Sequence, residues 1–295
     1  MAIKVKAPGS CGELVQGTIK GQNFLITCPI DVYSQAHIIS CASTVLPDYQ
    51  KAATAMEMTL RYLGVPQQSH SIQIQSELLI GKGMASSSAD ISAACQATAI
   101  HCGRLLKAEE IAAIALAIEP TDAIFYPGIM MFDHVEGKIS ESLGNPPPIE
   151  IVILDVGGEI DTLSFNRRND LADRNYSKEK AVLEAVELVA AGLKKGDSRL
   201  IGEGATISAL ANQSILYKPY LEQIIEIGKY YGAVGVNAAH SGTVLGVLFP
   251  AGHRGQQQCI EHILSLCDGK VQYIRTARLI SGGLTLVEVD DEWKI

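Results

Sequence analysis

Gly81-Lys82-Gly83-Met84-Ala85-Ser86-Ser87-Ser88-Ala89-Asp90 is a run of small residues that leads straight into a helix. It follows an alternating stretch, Ser71-Ile72-Gln73-Ile74-Gln75, that reads as a strand. It precedes Ile91 to Leu106, where Ile91, Ala94, Cys95, Thr98, Cys102 and Leu105 recur at helical spacing. A glycine-rich loop ending at a helix start directs unpaired backbone N–H groups and the positive end of the helix dipole at one place. Phosphate is the natural occupant. Serine hydroxyls add contacts to phosphate oxygens or to a phosphate-bound Mg²⁺. One serine suffices for a helix cap, so three after Gly-x-Gly-x-Ala favour anion binding over capping alone. Lys82 either reaches a phosphate or is solvated. The loop has neither the Gly-Lys-Ser/Thr ending of the Walker pattern nor the dinucleotide Gly-x-Gly-x-x-Gly.

The 295 residues, 47% apolar and 19% charged, are enough for one large domain or two moderate ones. Only 5% are aromatic, so the core must lean on Ile, Val, Leu and Ala, which suits layered packing of helices on sheet. A net charge of −8 argues against a general nucleic-acid or anionic-membrane binder but leaves room for ATP, whose phosphates are met locally. Seven cysteines without a Cys-x-x-Cys pair read as reduced thiols, with Cys95 and Cys102 two turns apart and facing the core together. Met1-Ala2-Ile3-Lys4-Val5-Lys6 has no apolar leader pattern and no run approaches a membrane span, so a cytoplasmic protein is expected.

Strands are expected at Ile3–Ala7, Leu14–Thr18, Phe24–Thr27 and Tyr33–Ser40, with glycine turns between them. Helices are expected at Pro47–Leu63 and Ala108–Ile118, the second stopped by Pro120, and a strand at Ile129–Phe132. Asn145-Pro146-Pro147-Pro148 fits neither a helix interior nor a central strand, and places a domain boundary between 148 and 149. Beyond it, strands are expected at Ile149–Leu154, Ala233–Val236, Thr243–Phe249, Val271–Thr276 and Leu284–Val289. The helices expected there are Tyr176–Lys194, Asp197–Ala211, Leu216–Tyr230 and Gly255–Leu266, an α+β mixture.

Three more segments have the composition of site loops. Ala7-Pro8-Gly9-Ser10-Cys11-Gly12-Glu13-Leu14-Val15-Gln16-Gly17 places a carboxylate among turn-forming glycines, either as a bulged hairpin or as a pocket wall. Cys11 has no neighbouring His to activate it and reads as a core or pocket-lining thiol. In Glu119-Pro120-Thr121-Asp122, two carboxylates three residues apart can share a site, or Thr121 or Asp122 can open a turn at a helix exit. Gly235 to Gly246, with Ala239-His240-Ser241-Gly242-Thr243 at its centre, forms another tight loop ahead of an apolar strand.

Gly83-Met84-Ala85-Ser86-Ser87-Ser88-Ala89 resembles the second motif of the GHMP kinases, Pro-x-x-x-Gly-Leu-Gly-Ser-Ser-Ala-Ala, with Ala85 in place of the second Gly and Ser88 in place of an Ala. The Pro8–Gly17 segment is similar to the family's first motif and the His240 loop to its third, in the family's order along the chain. The resemblance implies an α+β, two-domain GHMP kinase fold. Residues 1–148 would form a ribosomal protein S5 domain 2-like N-terminal domain, and 149–295 a ferredoxin-like C-terminal domain. It implies ATP and Mg²⁺ as cofactors, with Gly81, Lys82, Gly83, Met84, Ala85, Ser86, Ser87 and Ser88 holding the phosphates. Ser86 or Ser87 and Glu119 would hold Mg²⁺. Homoserine kinases carry Glu-x-His-Pro-Asp-Asn where this chain has Glu119 to Asp122, which implies Asp122 as the base; Glu119 lies one residue nearer to it here. Glu13, Asp31, His240, Ser241 and Gly242 would face the phosphoryl acceptor.

Within the family, Ala7 to Gly17, Cys28-Pro29-Ile30-Asp31 and Glu119-Pro120-Thr121-Asp122 most resemble the L-threonine kinases of cobamide biosynthesis. The implied reaction is transfer of the ATP γ-phosphoryl group to the L-threonine hydroxyl, in which alignment and charge neutralisation dominate. Two alternatives stand beside it. One is another small-alcohol kinase of the family, of homoserine or sugar type; the other is a catalytically silent member that binds a ligand and regulates.

Overall fold

Two 18-residue strands, β1 (Ala2–Ile19) and β2 (Gln22–Ile39), are the axis of the molecule. They pair antiparallel around a turn at Lys20 and Gly21, both at positive φ. In the computed structural model the described residues are 2–39, 49–66, 70–157 and 169–289. The expected strand end at Ser40 and helix start at Pro47 lie outside them. The glycines of Pro8–Gly12, expected to turn the chain, instead bulge β1, with register shifts at Pro8/Gly9, Ser10/Glu13 and Glu13/Val15. A bulge bends a strand and re-aims side chains without ending the ladder.

The remaining strands are β3 (Ser71–Ser76), β4 (Ile129–Phe132), β5 (Ser140–Gly144), β6 (Ile149–Asp155), β7 (Gly235–Ala238), β8 (Val244–Pro250), β9 (Gln272–Arg278) and β10 (Thr285–Val289). They join one sheet in the order β5-β4-β2-β1-β7-β8-β6-β9, with β10 also on β1 and β3 also on β2. The helices are α1 (Gln50–Tyr62), α2 (Ser86–His101), α3 (Ala108–Ile118), α4 (Leu171–Lys195), α5 (Ser198–Asn212), α6 (Leu221–Tyr230) and α7 (Gln256–Leu266). From β6 onward, antiparallel strands ordered β9-β6-β8-β7 give the ferredoxin-like strand order, with three helices, α4 to α6, in the first crossover and α7 in the second. Strand β7 meets β1 of the first half at a single pair, Glu13 opposite Ala238, and β10 returns to pair with β1 over five positions.

Helix α2 is enclosed by α1, α3, β1 and β2, and every residue from Ser88 to Ala99 is buried. Its Ala, Ser, Cys and Thr side chains are small enough for neighbours to approach on all sides. It starts earlier than the apolar spacing suggested and ends at His101, so Leu105 is exposed, and Cys102 is only partly covered while Cys95 is buried. The expected helix from Leu216 begins instead at Leu221, because Pro219 lacks an N–H and constrains the residue before it. One apolar cluster joins β1, β2 and α1–α3 to β6, α4 and α5, and a second lies between β6–β8 and helices α6 and α7.

Candidate active site

Three loops interlock above the bulge in β1. The Ser10 N–H donates to Met84 O (3.0 Å) and the Gly12 N–H to Gly83 O (3.1 Å), while the Thr243 and Val244 N–H groups both donate to Lys82 O (2.9 and 3.0 Å). At the crossing, a Cβ on Gly242 would overlap the backbone of Gly83 and Lys82. Only glycine lets the two backbones meet there. The expected phosphate loop is therefore held from both halves of the sheet.

The cavity beside these loops has a volume of about 200 Å³. It is lined by Gly81, Gly83, Met84, Ala85, Ser86, Ser87 and Ser88 of the loop, Glu119 to Asp122, Glu13, His240 and Ser241. Leu25, Lys51, Ile80 and His134 complete the wall. Ala85 is the N-cap of α2 with φ 53°, a left-handed conformation, and no side chain caps the helix. The first N–H groups of α2 thus face the cavity beside the Ser86 and Ser87 hydroxyls.

The two carboxylates leave α3 across Pro120. Glu119 is buried, accepts from the Ser87 hydroxyl, and pairs with Lys51 Nζ at 2.6 Å. Ser88, the position where the family pattern has Ala, holds Asp122: its Oγ accepts the Asp122 N–H at 3.0 Å and lies 3.4 Å from Asp122 Oδ2. Asp122 keeps one face toward the cavity and is otherwise enclosed by protein. Burial pushes its carboxyl up to about 6; the Ser88 hydroxyl works against that rise and Glu119 adds to it. Burial, and next the Asp122 charge, push Glu13 well above the usual carboxylate range, with Thr27 partly opposing them.

The wall also carries two imidazoles that burial holds neutral. Burial holds the His134 imidazole down at about 4, against the Asp133 charge. Its ring lies edge-on to His240, with centroids 5.1 Å apart. His240 Nδ1 meets Gln16 Oε1 at 3.3 Å. Burial, then His134, Lys178 and Lys218, push His240 well below the usual imidazole range. Lys178 Nζ on α4 donates to Asn212 Oδ1 (2.7 Å) and Gln16 O (3.2 Å), and Lys218 Nζ donates to Gly242 O. Both lysines are almost fully covered, and burial lowers each to about 7.

Three expected residues stand apart from the cavity lining. Asp31 binds the Arg278 backbone N–H and guanidinium, both at 2.7 Å, at the junction of β2 with β9. Lys82 Nζ lies 3.0 Å from Asp155 Oδ2 on β6, so it anchors the loop. Gly242 supports the loop crossing without lining the space. Conversely, Lys51, Thr121 and His134 line the cavity without having been singled out as site residues. Lys51 and His134 lie 68 and 15 residues from Glu119 in sequence, and no local motif marks either. Among the described residues no group of three or more His, Cys, Asp or Glu side chains is placed to hold a metal by itself. The Ser87 hydroxyl and Glu119 carboxylate are hard oxygen donors that fit Mg²⁺, an ion that takes few protein ligands and completes its shell with phosphates and water.

Comparison with known proteins agrees with this arrangement. The GHMP kinases N terminal domain model matches residues 49–127 and the GHMP kinases C terminal model matches 189–259. An L-threonine kinase from Salmonella typhimurium is 30% identical over 246 residues, 82% of this chain and 81% of that protein. An L-threonine kinase from Citrobacter freundii is 32% identical over 249 residues, 82% of this chain and 85% of that protein. Among solved structures, a homoserine kinase from Cytophaga hutchinsonii has a TM-score of 0.72 at 17% identity, covering 97% of both chains. The Methanococcus jannaschii mevalonate kinase has a TM-score of 0.70 at 16% identity, covering 94% of this chain and 98% of that one. At those identities the two structures speak for the fold alone.

Proposed function

The chain belongs to the GHMP kinase family, and we propose that it transfers the γ-phosphoryl group of ATP to the side-chain hydroxyl of L-threonine, giving O-phospho-L-threonine and ADP. The observation that carries this is the Ser88–Asp122 contact, which sets a half-buried carboxylate one hydrogen bond from the uncapped start of α2. The similarity to two L-threonine kinases over about four-fifths of the chain supports the choice of acceptor.

In this reading the N–H groups of Ser86, Ser87 and Ser88 and the loop from Gly81 to Ala85 hold the ATP phosphates. Asp122 orients the acceptor hydroxyl and takes its proton as the bond from oxygen to the γ-phosphorus forms and the bond to the leaving ADP oxygen breaks. Ser86 or Ser87 and Glu119 would hold a Mg²⁺, which would neutralise charge on the transferring phosphates. Lys51 holds Glu119 in place and balances its charge. Residues 1–148 supply the phosphate loop and both carboxylates, and residues 149–295 supply the His240–Ser241 cover. The likeness in Cys28–Asp31 and Glu119–Asp122 to cobamide-pathway enzymes supports a role in making the phosphothreonine precursor of the nucleotide-loop linker, in the cytoplasm.

The test is ADP release from Mg²⁺-ATP with L-threonine, L-serine, L-homoserine and a set of sugars. Turnover that depends on L-threonine and is weak elsewhere is expected. A clear preference for another acceptor overturns the substrate, and nucleotide binding without turnover on any acceptor overturns the activity.

A further inference from the structure

Three residues lining the cavity each carry a buried side-chain polar atom with no hydrogen-bond partner: Glu13 Oε2, Thr121 Oγ1 and His134 Nδ1. These residues are 4%, 1% and 6% exposed, so solvent does little to satisfy them. A buried polar atom left unpaired is destabilising, and three on residues around one space point to a ligand that completes the bonding. Their chemistry differs in a useful way. Burial disfavours the charge on Glu13, so the partner that completes its bonding is a donor carrying positive charge, beside which it ionises and accepts. An imidazole Nδ1–H donates and calls for an acceptor carrying negative charge. The lining holds both kinds of group, the carboxyls of Glu13, Glu119 and Asp122 and the imidazoles of His134 and His240. Asp133, the acid next to His134, spends its carboxylate on the N–H groups of Val135, Glu136 and Lys138 in its own turn.

We propose that Glu13 and His134 read the two charged ends of an α-amino acid acceptor, Glu13 taking the ammonium and His134 the carboxylate, with Thr121 bonding one of them. This inference rests on the proposed function and deepens it by assigning residues to the acceptor's charges. Glu13 lies on the β1 bulge beside Ala238, so the ammonium end is fixed by the sheet junction. His134 is fixed through its own backbone, whose carbonyl accepts the Thr121 N–H at 2.9 Å, directly before Asp122. The two readers are therefore rigidly tied to the carboxylate that handles the hydroxyl. A zwitterion adds no net charge of its own while offering a donor to Glu13 and an acceptor to His134.

The experiment crosses two variants with two analogues. Glu13→Gln and His134→Phe are each assayed with L-threonine, with (R)-3-hydroxybutyrate, which lacks the amine, and with L-threoninamide, which lacks the carboxylate charge. Inhibition constants against L-threonine replace kcat/KM where an analogue is not turned over. Glu13→Gln is expected to cost on the order of 100-fold in kcat/KM for L-threonine and its amide, mostly in KM, and less than about threefold for 3-hydroxybutyrate. His134→Phe, which keeps a ring against His240, is expected to cost about 10- to 100-fold for L-threonine and 3-hydroxybutyrate but little for the amide. His134→Gln, which restores a donor, should recover part of that loss. Equal losses across all three ligands overturn the inference and reduce both residues to structural roles. If L-serine or L-homoserine replaces L-threonine as the acceptor, the proposed substrate falls, and the same selective pattern on that amino acid's analogues upholds the inference. A preference for a sugar over every amino acid overturns both.

Discussion

At the residue scale the protein turns on how Asp122 is housed. Burial raises its carboxyl to about 6, and the Ser88 hydroxyl restrains the rise. A base must be ionised to accept a proton, so kcat/KM for the acceptor should fall on the acid side with an apparent pKa near 6. Ser88→Ala removes the restraint and should move that limb to higher pH. Asp122→Asn should lower kcat by roughly 10²- to 10⁴-fold while Mg²⁺-ATP still stabilises the protein. The linkage runs opposite to that of a salt-bridged acid. A carboxyl raised in the folded state contributes stability below its unfolded pKa near 4 and loses it as pH rises through about 6. Asp122→Asn should therefore melt higher than wild type at pH 7, and the gap should close toward pH 4. Unchanged turnover would remove Asp122 from the chemistry; an unchanged melting temperature at pH 7 would show that its burial costs nothing. Asp122 was expected at the site from the resemblance of Glu119–Asp122 to the family's run, the spacing alone suiting a turn at a helix exit. His134 was not, because it becomes a cavity residue only through the backbone bond from Thr121.

At the element scale the start of α2 does most to shape the site. The sequence showed a loop of small residues entering a helix, and α2 begins within it at Ser86. What the pattern left open was the cost of starting there. Ala85 holds φ 53° at a position where the family motif has glycine. A left-handed residue with a Cβ carries about 1–2 kcal/mol of strain, against about 0.8 kcal/mol for the buried methyl. Ala85→Gly should thus raise stability by up to about 1 kcal/mol, while Ala85→Val, β-branched in the same conformation, should lower it by about 2 kcal/mol or more. Denaturant titration of the three proteins gives the order directly, and a valine variant as stable as wild type would mean the loop does not keep this conformation. Element type was readable where breakers bound it: α3 ends at Ile118, ahead of Pro120, as its sequence indicates. Strand β5, Ser-Glu-Ser-Leu-Gly, was not readable, since its side chains are polar and largely exposed and only pairing with β4 makes it a strand.

At the scale of the whole molecule, the two halves share one sheet, joined at the Glu13–Ala238 pair and along β1 and β10, and further contacts hold the phosphate loop against the second half. The Lys82–Asp155 ion pair is the clearest, joining the loop to β6 at 3.0 Å with both side chains mostly covered. Sequence alone suggested Lys82 for phosphate; its partner lies 73 positions away, and which strand passes beneath the loop is a matter of topology rather than local pattern. Burial opposes ionisation of Asp155, but the Thr243 hydroxyl, Lys82 and the Gly157 N–H outweigh it and hold its carboxyl below the usual range. The stability it contributes is therefore present above its unfolded pKa near 4 and is lost as pH falls through the lower folded value. Asp155→Ala strands Lys82 without its counter-charge and should cost about 1–3 kcal/mol at pH 7, an effect that shrinks as the wild-type carboxyl is protonated in acid. Because Lys82 O also receives the Thr243 and Val244 N–H groups, loosening the lysine should disturb the loop crossing that supports the phosphates. KM for ATP should rise on the order of tenfold with a smaller change in KM for the acceptor. A variant with wild-type KM for ATP but reduced stability would confine the ion pair to holding the halves together, whereas a rise in both constants together would mean that the whole cavity depends on this one tie.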